Sequence, residues 1–244
     1  MSDGDGTGRY VVVGGMVVTA LAVVASLLFV GFGGGTSSTS GLIGGLNERL
    51  LVVAVPIAVL VEAVLVYAAW RFHDNEDRKP TPENREVELA WTVATGLVIL
   101  FVGVSSYHVL AQPAVTAAAG PAAPNALDVQ VTGHQWYWSV AYPEENVSVR
   151  HADRFYLPVD RPIRITVTSG DVIHSFHAPR LGLKQDAIPG QRHTLATRIT
   201  RTGQYRLYCA EYCGEGHARM KSTIVVANDS TFEDWLAAQR NETS

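Results

Sequence analysis

The sequence predicts a membrane protein in two parts, an α-helical hairpin of two or three transmembrane helices followed by an all-β sandwich. Three observations predict it. Charged residues make up only 17% of the 244 residues, against about 25% in an ordinary soluble domain, and the deficit is concentrated in three apolar runs. Beyond residue 127 the apolar period changes to two, as strands require. Only two cysteines occur, Cys209 and Cys213, so the β part does not rest on a disulfide framework.

Residues 10–32 carry no charge, residues 50–70 carry only Glu62, and residues 89–112 carry none. Each run can cross a hydrocarbon core of about 30 Å at about 1.5 Å per helical residue. That excludes a purely cytosolic enzyme. The first run follows a single basic residue, Arg9, and leads into Gly33-Gly34-Gly35 and a Ser/Thr stretch. It admits two readings, a removed signal peptide or a further transmembrane helix, although it exceeds the apolar middle of about 7–15 residues usual in a signal peptide. Residues 1–46 are read as this apolar segment with a Gly/Ser linker, and residues 47–112 as the helical hairpin.

Orientation follows from the basic residues. Residues 71–88 hold Arg71, Arg78, Lys79 and Arg85, whereas the outer flanks, 33–49 and 113–127, hold only Arg49. Lys and Arg mark the cytoplasmic side, so the chain is a multi-pass protein of the cell membrane with its C-terminal part on the outer face. Pro56 and Glu62 inside the second run are tolerable where that face meets another subunit rather than lipid. Glu62 is assigned no role.

Residues 113–126, rich in Ala and Pro, read as a linker. Short β-type runs then follow at 128–132, 136–142, 162–168, 172–178, 203–208 and 222–226, separated by turn signals. They predict an antiparallel sandwich or barrel over 127–228. Ser230 with Glu233 forms a capping box for a helix over 231–240, within a C-terminal helix and tail at 229–244. Residues 113–244 hold thirteen Lys/Arg and thirteen Asp/Glu. This part is long enough for one domain with its own core, and it has no basic excess to grip nucleic acid.

The chemistry is concentrated in Cys209-Ala210-Glu211-Tyr212-Cys213-Gly214-Glu215-Gly216-His217-Ala218-Arg219-Met220. Two thiols, an imidazole and a thioether fall within twelve residues, and His174 offers an upstream imidazole. Thiolate and thioether are soft ligands that favour copper, which imidazole also suits. A disulfide would account for the cysteines in an oxidising compartment but not for the His and Met spacing. A packed helical face is opposed by Gly214 and Gly216, and structural zinc has no use for a Met. A mononuclear blue-copper site uses one Cys, two His and a weak axial Met; here a second Cys is added. Two bridging thiolates would hold two copper ions, so the ligand count argues for a dinuclear electron relay without an open position for substrate.

The stretch 209–220 resembles the CuA loop of cytochrome c oxidase subunit II. Three further motifs resemble the same family in the same order: Val87-Glu88-Leu89-Ala90-Trp91-Thr92, Gly133-His134-Gln135-Trp136-Tyr137-Trp138, and Val172-Ile173-His174-Ser175-Phe176 with 182–190. The resemblance implies a cupredoxin-like Greek-key sandwich with copper ligands His174, Cys209, Cys213, His217 and Met220. Glu211 would ligate copper through its carbonyl and bind, through its carboxylate, a magnesium ion shared with subunit I. Trp136 matches the point where electrons enter, and Glu88 the entrance of a proton pathway. Tyr137 and Trp138 are read as core and interface.

The resemblance further implies an oxidoreductase subunit of a haem–copper terminal oxidase, with subunit I and subunit III as partners and haem only in the partner subunit. The external donor would be a cytochrome c or a small blue-copper protein. A membrane-anchored copper carrier or assembly protein is the rival from another class. A quinol oxidase subunit II would lack the ligands, and nitrous-oxide reductase would need a large further domain. His177 falls on the opposite strand face from His174, and His73, His108, His134, His151 and His193 are read as structural. Asn146, Asn228 and Asn241 open Asn-x-Ser/Thr sequons, which an outer-face domain permits.

Overall fold

The computed structural model describes residues 35–76, 79–80, 82–112, 123 and 125–242. Residues 10–32, whose fate the sequence leaves between two readings, lie outside the described residues, as does most of 113–126. Helix α1 is Ser38–Phe72 and helix α2 is Arg85–Leu110. Both have the length and composition to cross a membrane and bury almost none of their apolar side chains within the chain. Helix α1 begins well before the apolar run at residue 50 and accommodates Pro56 in its interior. At the start of α2, Asn84 Oδ1 accepts the Val87 N–H at 3.2 Å, while Glu86 and Glu88 place negative charge at the positive end of the helix.

The chain divides into two compact units. One contains Gly45–Ser105; the other contains Gly34–Gly44 with Ser106–Ser244. Among the described residues the second unit is a sandwich of ten strands: β1 Leu127–His134, β2 Tyr137–Tyr142, β3 Val147–Val149, β4 Arg154–Pro158, β5 Pro162–Ser169, β6 His174–Ala178, β7 Leu183–Ala187, β8 His193–Arg198, β9 Gly203–Cys209 and β10 Lys221–Ala227. They form two five-stranded sheets, ordered β3-β2-β1-β5-β8 and β4-β10-β9-β6-β7. Alternate side chains of β1, β2 and β5 are buried, so each strand gives one face to a core that includes Trp138, Tyr142, Phe155 and Phe176.

The expectation of a wholly antiparallel sandwich is corrected. Strands β1 and β5 pair in parallel, with Gln130 opposite Thr166, and so do β4 and β10, with Val225 opposite Tyr156. The chain passes to the second sheet at β4 before returning beside β1 at β5, and parallel neighbours need such a crossover. Strands β3, β4, β7 and β8 escape the sequence pattern. Strand β3 has three residues, β7 has a polar centre, and most of edge strand β8 is only half-buried.

Helix α3, Asp229–Glu242, closes the fold. Its cap is Asn228 rather than Ser230: Asn228 Oδ1 accepts the Thr231 N–H at 2.9 Å and the Ser230 hydroxyl at 3.0 Å. Trp235 stacks on Tyr156 at 5.0 Å between ring centroids, and Phe232 is buried. The stretch expected to be linker is also structured from residue 35. Ser37 bridges to Ile199, its hydroxyl donates to the Leu181 carbonyl at 2.6 Å, and the Thr200 N–H donates to the Thr36 carbonyl at 3.0 Å.

Candidate metal centre

Strand order brings the chemistry-bearing residues to one end of the sandwich. Strand β6 starts at His174, β9 ends at Cys209, and Phe176 pairs with Cys209. The Cys209 N–H donates to the Met220 carbonyl at 3.0 Å, closing the loop between β9 and β10. Within it Gly214 has φ +113°, a value side-chain-bearing residues rarely adopt. A short 3-10 turn then runs over His217–Arg219.

Six donor atoms converge there. Cys209 Sγ lies 3.9 Å from His174 Nδ1, 3.8 Å from Cys213 Sγ and 3.1 Å from the Glu211 carbonyl oxygen. Cys213 Sγ lies 3.6 Å from His217 Nδ1 and 3.8 Å from Met220 Sδ. The cysteines are free thiols; a disulfide would bring the sulfurs to about 2.05 Å. Ligands about 2.0–2.3 Å from one late first-row ion stand roughly 3.3–3.8 Å apart at tetrahedral angles, so the separations suit neighbours on a metal. The two sulfurs stand at the centre, with His174 Nδ1 and the Glu211 carbonyl against Cys209 and with His217 Nδ1 and Met220 Sδ against Cys213. That arrangement matches the donor chemistry of a copper pair. His174, Cys209, Cys213 and Met220 are buried.

Electrostatics favours one ionised sulfur in this cluster. Burial alone would raise Cys209, but hydrogen bonds from His174 and the Ser175 backbone override it and hold the thiol below its ordinary range. Burial and the nearby Cys209 charge push Cys213 up. Burial would likewise lower His174, yet its hydrogen bonds to Cys209 and Asp171 hold it above its usual value.

Asp171, which the sequence reading passes over, stands directly behind this cluster. One carboxylate oxygen lies 2.7 Å from His174 Nε2 and accepts the Val172 N–H at 2.6 Å. The other accepts the Gln135 N–H at 2.7 Å. The carboxylate therefore turns His174 Nδ1 toward Cys209, as a partner of a metal-bound histidine does. Its position three residues before His174 was the available signal. Gln135 was also missed; its Nε2 donates to the Cys213 carbonyl at 2.8 Å.

Trp136 sits over the same loop. Its Nε1–H donates to the Cys213 carbonyl at 3.0 Å, and the residue is 36% exposed. Glycines make room for both rings: a Cβ at Gly216 would lie 2.2 Å from the Trp136 indole, and one at Gly133 would lie 2.8 Å from the His174 ring. Trp138 is core, edge-on to His174 at 6.1 Å, while Tyr137 stacks on His134 at 4.8 Å. The Glu211 carboxylate is exposed and accepts the Tyr212 N–H at 3.1 Å. Glu88 is exposed in the first turn of α2.

Comparison with known proteins gives concordant findings. A family profile described as cytochrome c oxidase subunit II, transmembrane domain, matches residues 25–109, and one described as its periplasmic domain matches residues 145–228. The cytochrome c oxidase subunit 2 of Cereibacter sphaeroides is 30% identical over 87% of this chain and 81% of its own length. That of Synechocystis sp. is 30% identical over 83% of this chain and 74% of its own. Among solved structures, the periplasmic domain of cytochrome oxidase subunit II of Bradyrhizobium japonicum covers 51% of this chain and 100% of its own, with 32% identity and a TM-score of 0.48. With the Cys/His cluster, the family implies a CuA-type copper site. The chain belongs to the cytochrome c oxidase subunit II family, and is thus a membrane-anchored part of a haem–copper oxidoreductase with its C-terminal domain on the outer face.

Proposed function

We propose that this chain takes electrons one at a time from an external donor and passes them to haem in the catalytic subunit, where oxygen is reduced to water with coupled proton transfer. The observation that carries this reading is the closed set of six donor atoms about two buried free thiols. Copper ions bound by that set would supply reversible one-electron exchange.

The chain's own residues do the rest. Cys209 and Cys213 bind as thiolates, so loading releases their protons. Asp171 holds the His174 ring, and burial keeps water from the sulfurs. Trp136 offers a half-exposed ring, and its Nε1–H reaches the backbone of Cys213; electrons enter along that contact. The Glu211 carbonyl is turned to the Cys209 sulfur, which leaves its exposed carboxylate for a magnesium ion shared with the catalytic subunit, an oxygen ligand for a hard cation. Glu88, at the start of α2, is the entrance of a proton pathway.

The test is copper loading of the purified full-length chain, read by metal analysis, visible absorption and electron paramagnetic resonance. Two coppers per chain sharing one unpaired electron are expected, and Cys213→Ser should abolish the sharing. A single ordinary copper signal, no binding, or an unchanged spectrum in Cys213→Ser would sink the reading.

A further inference from the structure

The β domain is neutral by count, but its charges are sorted in space. Two cross-strand rows stand on the outward face of the sheet β4-β10-β9-β6-β7. Arg154, Thr223 and Arg206 are in register across β4, β10 and β9. In the neighbouring row Lys221, Tyr208, His177 and Lys184 are in register across β10, β9, β6 and β7. Arg154, Arg206, Lys221 and Lys184 are exposed, and none of them forms an ion pair among the described residues. Outward positions of these five strands hold one carboxylate, Asp186.

Adjacent strands stand about 4.8 Å apart, so Arg154 and Arg206 flank Thr223 at roughly 10 Å. Like charges at that spacing repel, and opposite charge brought onto the face relieves them. The middle of the face is aromatic. The Arg206 guanidinium lies 5.2 Å from the centre of the Tyr208 ring, and His177 meets that ring edge-on at 5.0 Å. Burial, with the charge of Lys184, holds His177 below its ordinary value and so uncharged near neutral pH.

We propose that this basic face is the docking surface for an acidic redox protein, the external donor of this chain. The proposal rests on the electron-accepting role set out above and adds the partner's chemistry. Position favours a redox partner over a lipid surface. Tyr208 precedes Cys209, Lys221 follows Met220, and exposed Arg219 lies within the loop between them, so the face runs into the metal end of the sandwich. Arginine beside tyrosine on a rigid sheet is also the composition of a protein interface, and the face has no amphipathic helix to enter lipid. In the step itself one electron leaves the donor's reduced prosthetic group and enters this chain. The donor is oxidised by one, the chain is reduced by one, and no bond or proton changes place.

The test uses the full-length chain in nanodiscs of phosphatidylcholine, with three probes: reduced plastocyanin (acidic), a mitochondrial-type cytochrome c (basic) and phosphatidylglycerol vesicles. Plastocyanin should bind best, and its affinity should fall steeply with added salt. The double variant R206E/K221E should cut its association rate by about tenfold or more. Lys184→Glu, at the far end of the row, should move it the same way, so the outcome does not hang on one variant's folding. Tighter binding of cytochrome c, plastocyanin binding indifferent to salt and to charge reversal, or vesicle binding alone being lost in the variants would overturn the proposal. The copper spectrum of the same preparations is read separately. A wild-type chain without it fails the metal assignment, whereas the binding series tests the face.

Discussion

At the scale of single residues, the metal end depends as much on what is missing as on what is present. Gly216 has ordinary backbone angles, φ −84° and ψ 1°, so conformation does not demand glycine there. Space does. A Cβ would stand 2.2 Å from the indole of Trp136, and the ring would have to leave its seat and its hydrogen bond to the Cys213 carbonyl. Gly216→Ala should therefore load with copper normally yet take electrons from a soluble donor more slowly, by up to about 10²-fold for a displacement near 1 Å. Stopped-flow reduction together with paramagnetic resonance checks this, and an unchanged rate would remove Trp136 from the path. The sequence shows Gly216 only as a helix breaker between ligands. Its second role becomes visible when β1 and β2 bring Trp136 across from another sheet.

At the scale of elements, the parallel pairing of β1 with β5 has a local clasp. Arg164 donates to both carboxylate oxygens of Asp128, at 2.6 and 2.9 Å, directly across the register. The hydrogen bond from Arg164 is the main reason the Asp128 carboxyl lies below its ordinary value. A depressed carboxyl adds stability above the unfolded-state value of about 3.9 and loses it as pH falls through the folded value. Both side chains are about a third exposed, so screening limits the pair to about 0.5–1 kcal/mol. Asp128→Asn should cost that much at pH 7 and nothing at the foot of the acid limb, measured by denaturant unfolding at several pH values. An equal cost at every pH would mean that the pair acts by packing alone. The pairing itself was hidden in the sequence. Alternation reveals that 128–132 and 162–168 are strands, but relative direction is set by the crossover through β4. Short or polar strands such as β3 and β7 leave no period to read, and the cap at Asn228 was missed because Ser230 and Glu233 mimic a capping box one turn-start too late.

At the scale of the molecule, the two membrane runs and the ligand loop were legible because each is contiguous: a helix of apolar residues and a loop of soft donors carry their chemistry in the order of the chain. What was illegible is assembled from distant segments, namely Asp171 behind His174, the strap around Ser37, and the sorting of a neutral charge count into a basic face. Five of the six donor atoms come from the one stretch Cys209–Met220, and the sixth, His174 Nδ1, is brought to it by the pairing of β6 with β9. Metal bound there stabilises only the folded domain, by about 2.7 kcal/mol when free copper is 100 times its dissociation constant. For a β domain of this size that is worth roughly 10 °C in melting temperature. The full-length chain stripped by a chelator should therefore lose its near-ultraviolet tryptophan signal at the lower temperature, with Trp138 and Trp235 as reporters. The far-ultraviolet signal of α1 and α2 should persist through that transition, since apolar helices in detergent lose nothing when the β domain opens. In a C209S/C213S variant, copper should leave the melting temperature where the stripped chain has it. A stripped wild-type chain that melts where the loaded one does would show that the six atoms are held in place by the fold without being tied together by a metal.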